Sequence, residues 1–204
     1  TPAGPYVIAY TICEILNPTN CRTANVTVTV GAAPIVANDD TGTSINGANG
    51  GTAVANVLSD NGNGIDTLNG VAATLTTTTI TVTTPATPIS GGPVPSLNVV
   101  TGAVTVPVGT PAGSYTIVYN LCEVLNPTNC EPATITVPVS AAPLVADADS
   151  GTLPNGLVGG VVPGLQVIDG DTLNGVPAVI GGATPSVTLT STPTGPLTVN
   201  ADGT

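Results

Sequence analysis

Cys122-Glu123-Val124-Leu125-Asn126-Pro127-Thr128-Asn129-Cys130 decides the reading of this chain, because it returns as Cys13-Glu14-Ile15-Leu16-Asn17-Pro18-Thr19-Asn20-Cys21. The two copies use all four cysteines. Each holds an Asn-Pro-Thr-Asn turn signal between runs of alternating apolar and polar residues, which reads as two antiparallel strands joined by a turn. By the two-residue period of a strand, Tyr115, Ile117, Tyr119 and Leu121 share the core face, and Ala133, Ile135, Val137 and Val139 share it on the partner strand. Cys122 and Cys130 then fall together on the outer face, the register a cross-strand bridge requires. We therefore expect disulfides Cys13–Cys21 and Cys122–Cys130. Closing a loop this short stabilises by roughly 2.5 kcal/mol, a large share for a domain with few aromatics. Pro132 and Pro138 predict that the last strand lies at a sheet edge.

Outward from the stapled turn, the sequence repeats. Residues 1–37 recur at 110–146, with about 24 of 37 positions identical. Asp40-Thr41-Gly42 is matched by Asp149-Ser150-Gly151, and Asp66-Thr67-Leu68-Asn69-Gly70-Val71 by Asp171-Thr172-Leu173-Asn174-Gly175-Val176. Ala-Ala-Pro at 32–34 and 141–143 follows a strand each time and marks a short linker. Residues 34–142 thus read as one complete repeat, 1–33 as the end of a preceding one and 143–204 as the start of a following one, an excerpt from a longer secreted chain. Strands are expected near 35–38, 53–58, 71–76, 79–84, 97–100, 103–107, 114–122 and 131–139, enough for a β-sandwich. In such a sandwich the Cys122–Cys130 turn should lie beside the linker at Gly31 to Pro34.

Composition sets the class and its exclusions. Trp, Phe, Met and His are absent, and Thr, Val, Ala, Gly and Pro dominate, which favours pleated strands over helices. Arg22 is the sole basic residue against twelve acidic ones, a net charge of -11, so nucleic acid and anionic lipid are repelled. No apolar run approaches the ~20 residues that cross a bilayer, so no membrane insertion is expected. Without His or Lys, the Ser-His-Asp, Cys-His and Lys-base arrangements are unavailable, and we expect no enzyme activity. Paired cysteines imply an oxidising, extracytoplasmic compartment.

Carboxylates cluster among Asn and Gly at Asp39-Asp40, Asp60 with Asp66, Asp147 with Asp149, and Asp169 with Asp171. Oxygen-rich turns of this kind make Asp40, Asp60, Asp66, Asp149, Asp169 and Asp171 candidate calcium ligands. Asp and Asn are also ordinary turn residues, and no segment completes an EF-hand, so the fold is expected to require no cofactor. Glu14 and Glu123 read as turn caps, with ion ligation at a domain junction as the alternative. The threonine run from Thr76 reads as a solvent-facing strand.

Thr-Pro-Ala-Gly-x-Tyr, the Cys-to-Cys stretch, the Thr-Val-x-Val run into Ala-Ala-Pro, and Asp-Thr-Leu-Asn-Gly together resemble the tandem immunoglobulin-like repeats of very large surface proteins of Bacteroidetes, gliding adhesins among them. The resemblance covers nearly the whole chain. It implies export by type IX secretion, display as a cell-surface filament, and O-glycosylation at Asp-Ser/Thr-aliphatic tripeptides, here at Thr67 and Thr172. The fold it implies is all-β: tandem immunoglobulin-like sandwiches, each with a disulfide-stapled terminal hairpin.

The expected role is a structural stalk or filament segment of a repetitive extracellular adhesin, with neighbouring repeats and lateral self-association as its partners. The alternative is a carbohydrate-binding module. That would need an exposed aromatic platform, and Tyr6, Tyr10, Tyr115 and Tyr119 all lie on the expected core face.

Overall fold

The computed structural model describes residues 1–153, 155–156, 159–182, 186–192 and 195–204. The chain opens with a hairpin of β1 (Gly4–Cys13) and β2 (Cys21–Val30). A larger unit follows, of β3 (Ile35–Val36), β4 (Asp40–Thr41), β5 (Ile45–Asn46), β6 (Gly51–Val54), β7 (Thr67–Leu68), β8 (Val71–Ala72), β9 (Thr78–Thr84), β10 (Ser96–Leu97), β11 (Val104–Val106), β12 (Gly113–Glu123) and β13 (Cys130–Ser140). The last part holds β14 (Leu144–Val145), β15 (Thr172–Leu173) and β16 (Val176–Pro177). The fold is all-β.

In the large unit β12 and β13 form the long antiparallel centre of one sheet, with β9 beside β12 and the short β4 and β5 both parallel to β13. A second sheet runs β10-β11-β6, and β3-β7-β8 forms a small third ladder. The alternation read from the sequence fills the space between them. Tyr115, Ile117, Tyr119 and Leu121 from β12, and Ala133, Ile135, Val137 and Val139 from β13, pack with Ala53, Val54, Val104 and Val106 of the second sheet. The long strands form because β-branched residues and tyrosines are dense there and apolar side chains take every second position, and they end at the Asn-Pro turn.

Several expected strands are shorter, and three observed strands, β4, β5 and β7, fall where none was expected. Residues 55–58 form a turn after β6, with Val57 and Leu58 buried in the core. The expected strand 71–76 stops at Ala72, because the threonines fold back on themselves: the amides of Thr77 and Thr78 both donate to the Thr74 carbonyl at 3.0 and 2.8 Å. Side-chain hydroxyls competing for backbone groups is the reason threonine runs turn as readily as they extend. Only from Thr78 does the run become a strand.

Strand β13 is not an edge, contrary to the reading of Pro132 and Pro138. It lies between β12 and the pair β4 and β5. The even-numbered residues turn their backbone groups toward β4 and β5: the Thr134 amide donates to Asp39 Oδ1 at 2.7 Å, and the Thr136 carbonyl accepts from Gly42 at 2.9 Å. Pairing with β4 covers Ile135 and Thr136, and pairing with β5 covers Val139 and Ser140. Pro138 falls in the gap between them and Pro132 before the first, so neither missing N–H interrupts a ladder.

The repeat seen in the sequence is repeated in the hydrogen bonds. The Tyr6 hydroxyl donates to the Pro2 carbonyl as Tyr115 does to Pro111, both at 2.8 Å. Asn69 N to Pro34 O is matched by Asn174 N to Pro143 O, both at 2.7 Å, with both asparagines at positive φ. Val57 N to Gly102 O is matched by Val167 N to Gly203 O, both at 2.9 Å. Asn38 N to Asp66 Oδ1 is matched by Asp147 N to Asp171 Oδ1, both at 2.8 Å.

Candidate functional site

The stapled turn is built from its own side chains. Disulfides join Cys13 to Cys21 and Cys122 to Cys130, each across directly opposed strand residues. Cys122 shares the outer parity but is nonetheless buried, because β9 lies alongside and places Thr79 opposite it. Inside the turn, hydrogen bonds from Asn126 and Asn129 hold the Glu123 carboxyl below the usual carboxylate range, and Asn20 and Asn17 do the same for Glu14. A carboxylate accepting two amide donors stays charged and fixes both asparagines. Both glutamates therefore act as turn caps.

This turn meets the preceding element. Asn129 Nδ2 donates to the Ala33 carbonyl at 2.7 Å, and Asn126 Oδ1 accepts from the Ala3 amide at 2.6 Å. The Cys122–Cys130 turn thus lies beside the Gly31–Pro34 linker, as expected for the last hairpin of a sandwich. At the other end of the unit, Asn174, at the tip of the β15–β16 turn, accepts from Asn46 at 2.8 Å and donates to Asn49 at 2.6 Å. The eleven residues of β13 separate the two junctions by roughly 35 Å.

Between the junctions, the early strands β4 and β5 run parallel to β13, the last strand of the unit. Asp40 and Thr41 pair with Ile135 and Thr136, and Ile45 and Asn46 with Val139 and Ser140. A pull on the two ends of residues 34–142 slides these strands past each other, so all of their bonds are loaded together. Sequence reasoning missed β4 and β5 because two-residue strands carry no periodicity; their one signal was the recurrence of Asp-Thr-Gly as Asp149-Ser150-Gly151.

The carboxylates of Asp40, Asp60, Asp66 and Asp171 have internal partners. Asp40 and Asp66 are buried on either side of Tyr119, whose hydroxyl lies 3.3 Å from an oxygen of each. Asp40 also accepts from Asn61 Nδ2 at 2.8 Å. Burial raises the Asp40 carboxyl to about 7, offset in part by Asn61, with Asp66 adding repulsion. Burial raises Asp66 as well, and holds Tyr119 as the neutral phenol. A phenol has one hydrogen to donate, so a proton on one carboxyl completes the chain from acid to hydroxyl to carboxylate.

Asp60 instead caps its own loop, accepting from the Gly62 and Gly64 amides at 3.0 Å each. Of the calcium candidates, then, Asp40 and Asp66 come together, Asp60 does not join them, and Asp149 is exposed. Asp171 accepts from the Asp147 amide, and Asp169 shares its turn, with its own amide donating to Gln166. Among the described residues no three carboxylates converge as a metal group.

Thr67 and Thr172 are ladder residues, not turn residues. Thr67 pairs with Val36 and Ala72 in the central strand of its ladder, and Thr172 with Val145 and Pro177. Both are half-buried. The turn starts only at Asn69 and Asn174, both at positive φ. No protein-family model and no curated protein matches the sequence.

Proposed function

We propose that the chain is a load-bearing stalk segment of a large, repetitive extracellular surface adhesin, with immunoglobulin-like repeats in series holding a distal binding region away from the cell. The observation that carries this reading is the parallel pairing of β4 and β5 with β13 in a unit entered at one end and left at the other. Bonds in shear break together, whereas bonds at a peeling end break one by one, so this geometry resists tension along the chain. Two disulfides fit an oxidising extracellular or periplasmic compartment. The Tyr115-to-Pro111 bond resembles the tyrosine corner of immunoglobulin-type sandwiches, which supports that class. Surface placement, type IX export, a role in gliding or attachment, and glycans at Thr67 and Thr172 belong to the same proposal and draw on the sequence resemblance.

One observation favours a carbohydrate-binding module: Tyr6 and Tyr10 are exposed on one face of β1. Their counterparts Tyr115 and Tyr119 are core residues, so the exposed pair is better read as an uncovered core face. Glycan-array binding by the chain that is lost on Tyr6→Ala and Tyr10→Ala substitution would overturn the stalk reading; an array without signal agrees with it.

A further inference from the structure

The sheet built on β12 and β13 has a free edge. Its order is β4-β13-β12-β9, so β9 is paired on one side only. The Thr77 carbonyl accepts from the Val124 amide, while the Thr78 amide turns the other way and donates to the Thr74 carbonyl. Successive strand residues alternate in this respect, so the backbone groups of Ile80 and Val82, and the Thr78 carbonyl, point away from β12. A register shift puts Thr83 outside the ladder and ends the regular edge at Val82. Among the described residues, the other outer strands of the unit have two residues each, except β6, where Thr43 donates to the Ala53 carbonyl. Residues 1–33 and 143–204 attach at the two ends of the sheet, through Asn129 and Asn46, and neither pairs with β9. Native edges of this length are usually blunted by proline, lysine or other charges, and Thr78–Thr84 contains none of these. From Thr67 to Cys122 the chain holds no charged residue at all. The carboxylates of the unit lie elsewhere: Asp39 and Asp40 at the opposite edge, Asp60 and Asp66 around the loop that bonds to Thr41, and Glu123 and Glu131 at the stapled turn.

We propose that this edge binds the same edge of a second copy of the chain, β9 against β9, so that two sheets join into one. An uncharged edge on an acidic chain suits a copy of itself, since pairing there brings no carboxylates together. A two-fold axis through Ile80 makes the strands antiparallel and closes the contact as a dimer. Ile80 then exchanges both backbone bonds with Ile80 of the second copy, and each Val82 amide donates to the Thr78 carbonyl opposite. Thr79 faces Thr81 of the second copy, with both side chains on the exposed face of the sheet. The carboxylate nearest to β9 is Glu123, which pairs with Thr78. In this register the two Glu123 residues lie roughly 20 Å apart, beyond the screening length of about 8 Å in physiological salt. The lateral self-association expected from the sequence thereby acquires a surface.

Edge pairing depends on β9 and not on the parallel pairing of β4 and β5 with β13, so its failure would leave the stalk reading standing. The test uses the 204-residue chain in sedimentation equilibrium over a range of concentrations, where the mass should rise from 19.7 kDa toward twice that value. The double substitutions Thr79→Lys with Thr81→Lys, and Thr79→Glu with Thr81→Glu, set like charges opposite each other across the axis. Each should weaken the dimer on the order of tenfold without changing the circular dichroism of the monomer, because both threonines are exposed. Mixing the two variants should restore it. In hydrogen exchange, the Ile80 and Val82 amides should slow at least about tenfold as the dimer forms, while those of Thr79 and Thr81, already turned toward β12, should not change. A chain monomeric at every concentration, a dimer that both charged variants leave intact, charged variants that mixing does not restore, or a dimer without new protection at Ile80 and Val82 would each overturn the proposal.

Discussion

Tyr10 and Tyr119 occupy one register position in two hairpins of nearly one sequence, Tyr10 opposite Ala24 and Tyr119 opposite Ala133, yet Tyr10 is 48% exposed and Tyr119 fully buried. The difference lies in the cover, not in the hairpin. Below the concentration of any self-association, amide hydrogen exchange should therefore be at least about a hundredfold slower in β12 and β13 than at matched residues of β1 and β2. Both hairpins have the same staple, so equal protection would mean that the disulfide, rather than packing, stabilises the strands.

The buried pair Asp40 and Asp66 makes residues 34–142 sensitive to pH. Asp40 titrates at about 7 in the fold against 3.8 for the free side chain, so the folded state holds the proton more tightly. Its contribution is fully present below about 4 and is lost as pH rises through about 7, and Asp66, also raised, acts in the same direction. Thermal melts should show stability falling by about 2 kcal/mol from pH 5 to pH 8. Asp40→Asn should flatten that slope. Tyr119→Phe, which removes the shared hydroxyl, should cost about 1–3 kcal/mol.

How far the sequence carries can be read from the same residues. The hairpin, its core face and both disulfides were legible, since a long period-two run and a repeated Cys-to-Cys spacing leave few alternatives. The Asp40–Tyr119–Asp66 cluster was not. Asp40 and Asp66 sit in Asn- and Gly-rich stretches that look like solvent-exposed turns, and only the non-local pairing of β4 with β13 and of β7 with β3 brings them inside. Pro138 misled for a related reason. A proline reports a missing donor, but the gap between β4 and β5 that receives it is a tertiary feature.

Gly47 is constrained by contact rather than by φ. A Cβ at this position would lie 1.9 Å from the Thr110 carbonyl oxygen, beside a backbone bond from Gly47 to Ser140. Gly47→Ala should destabilise the unit by about 1–3 kcal/mol in a denaturant titration. Gly70→Ala, where the same atom meets open space but φ is +76°, should cost about 1 kcal/mol.

The junction at Asn174 is held by side-chain amides. Asn174→Ala removes the bonds to Asn46 and Asn49 and leaves the core of residues 34–142 intact. The melting of that unit should be unchanged, while small-angle scattering should show a broader distribution of orientations for residues 143–204. A rigid, unchanged profile would place the junction's stiffness in the linker instead.

Stretching single molecules of a tandem array of residues 34–142 tests the stalk most directly. With shear-loaded parallel strands, the extension should proceed in equal steps, one per repeat, each preceded by a distinct force peak. About 109 residues per repeat, less those locked between Cys122 and Cys130, reach roughly 360 Å at about 3.6 Å per residue, and subtracting the roughly 35 Å that the folded repeat already spans leaves a step of roughly 330 Å. Reducing the disulfide should lengthen each step by roughly 30 Å. Smooth extension at low force, without equal steps in either redox state, would contradict a load-bearing role.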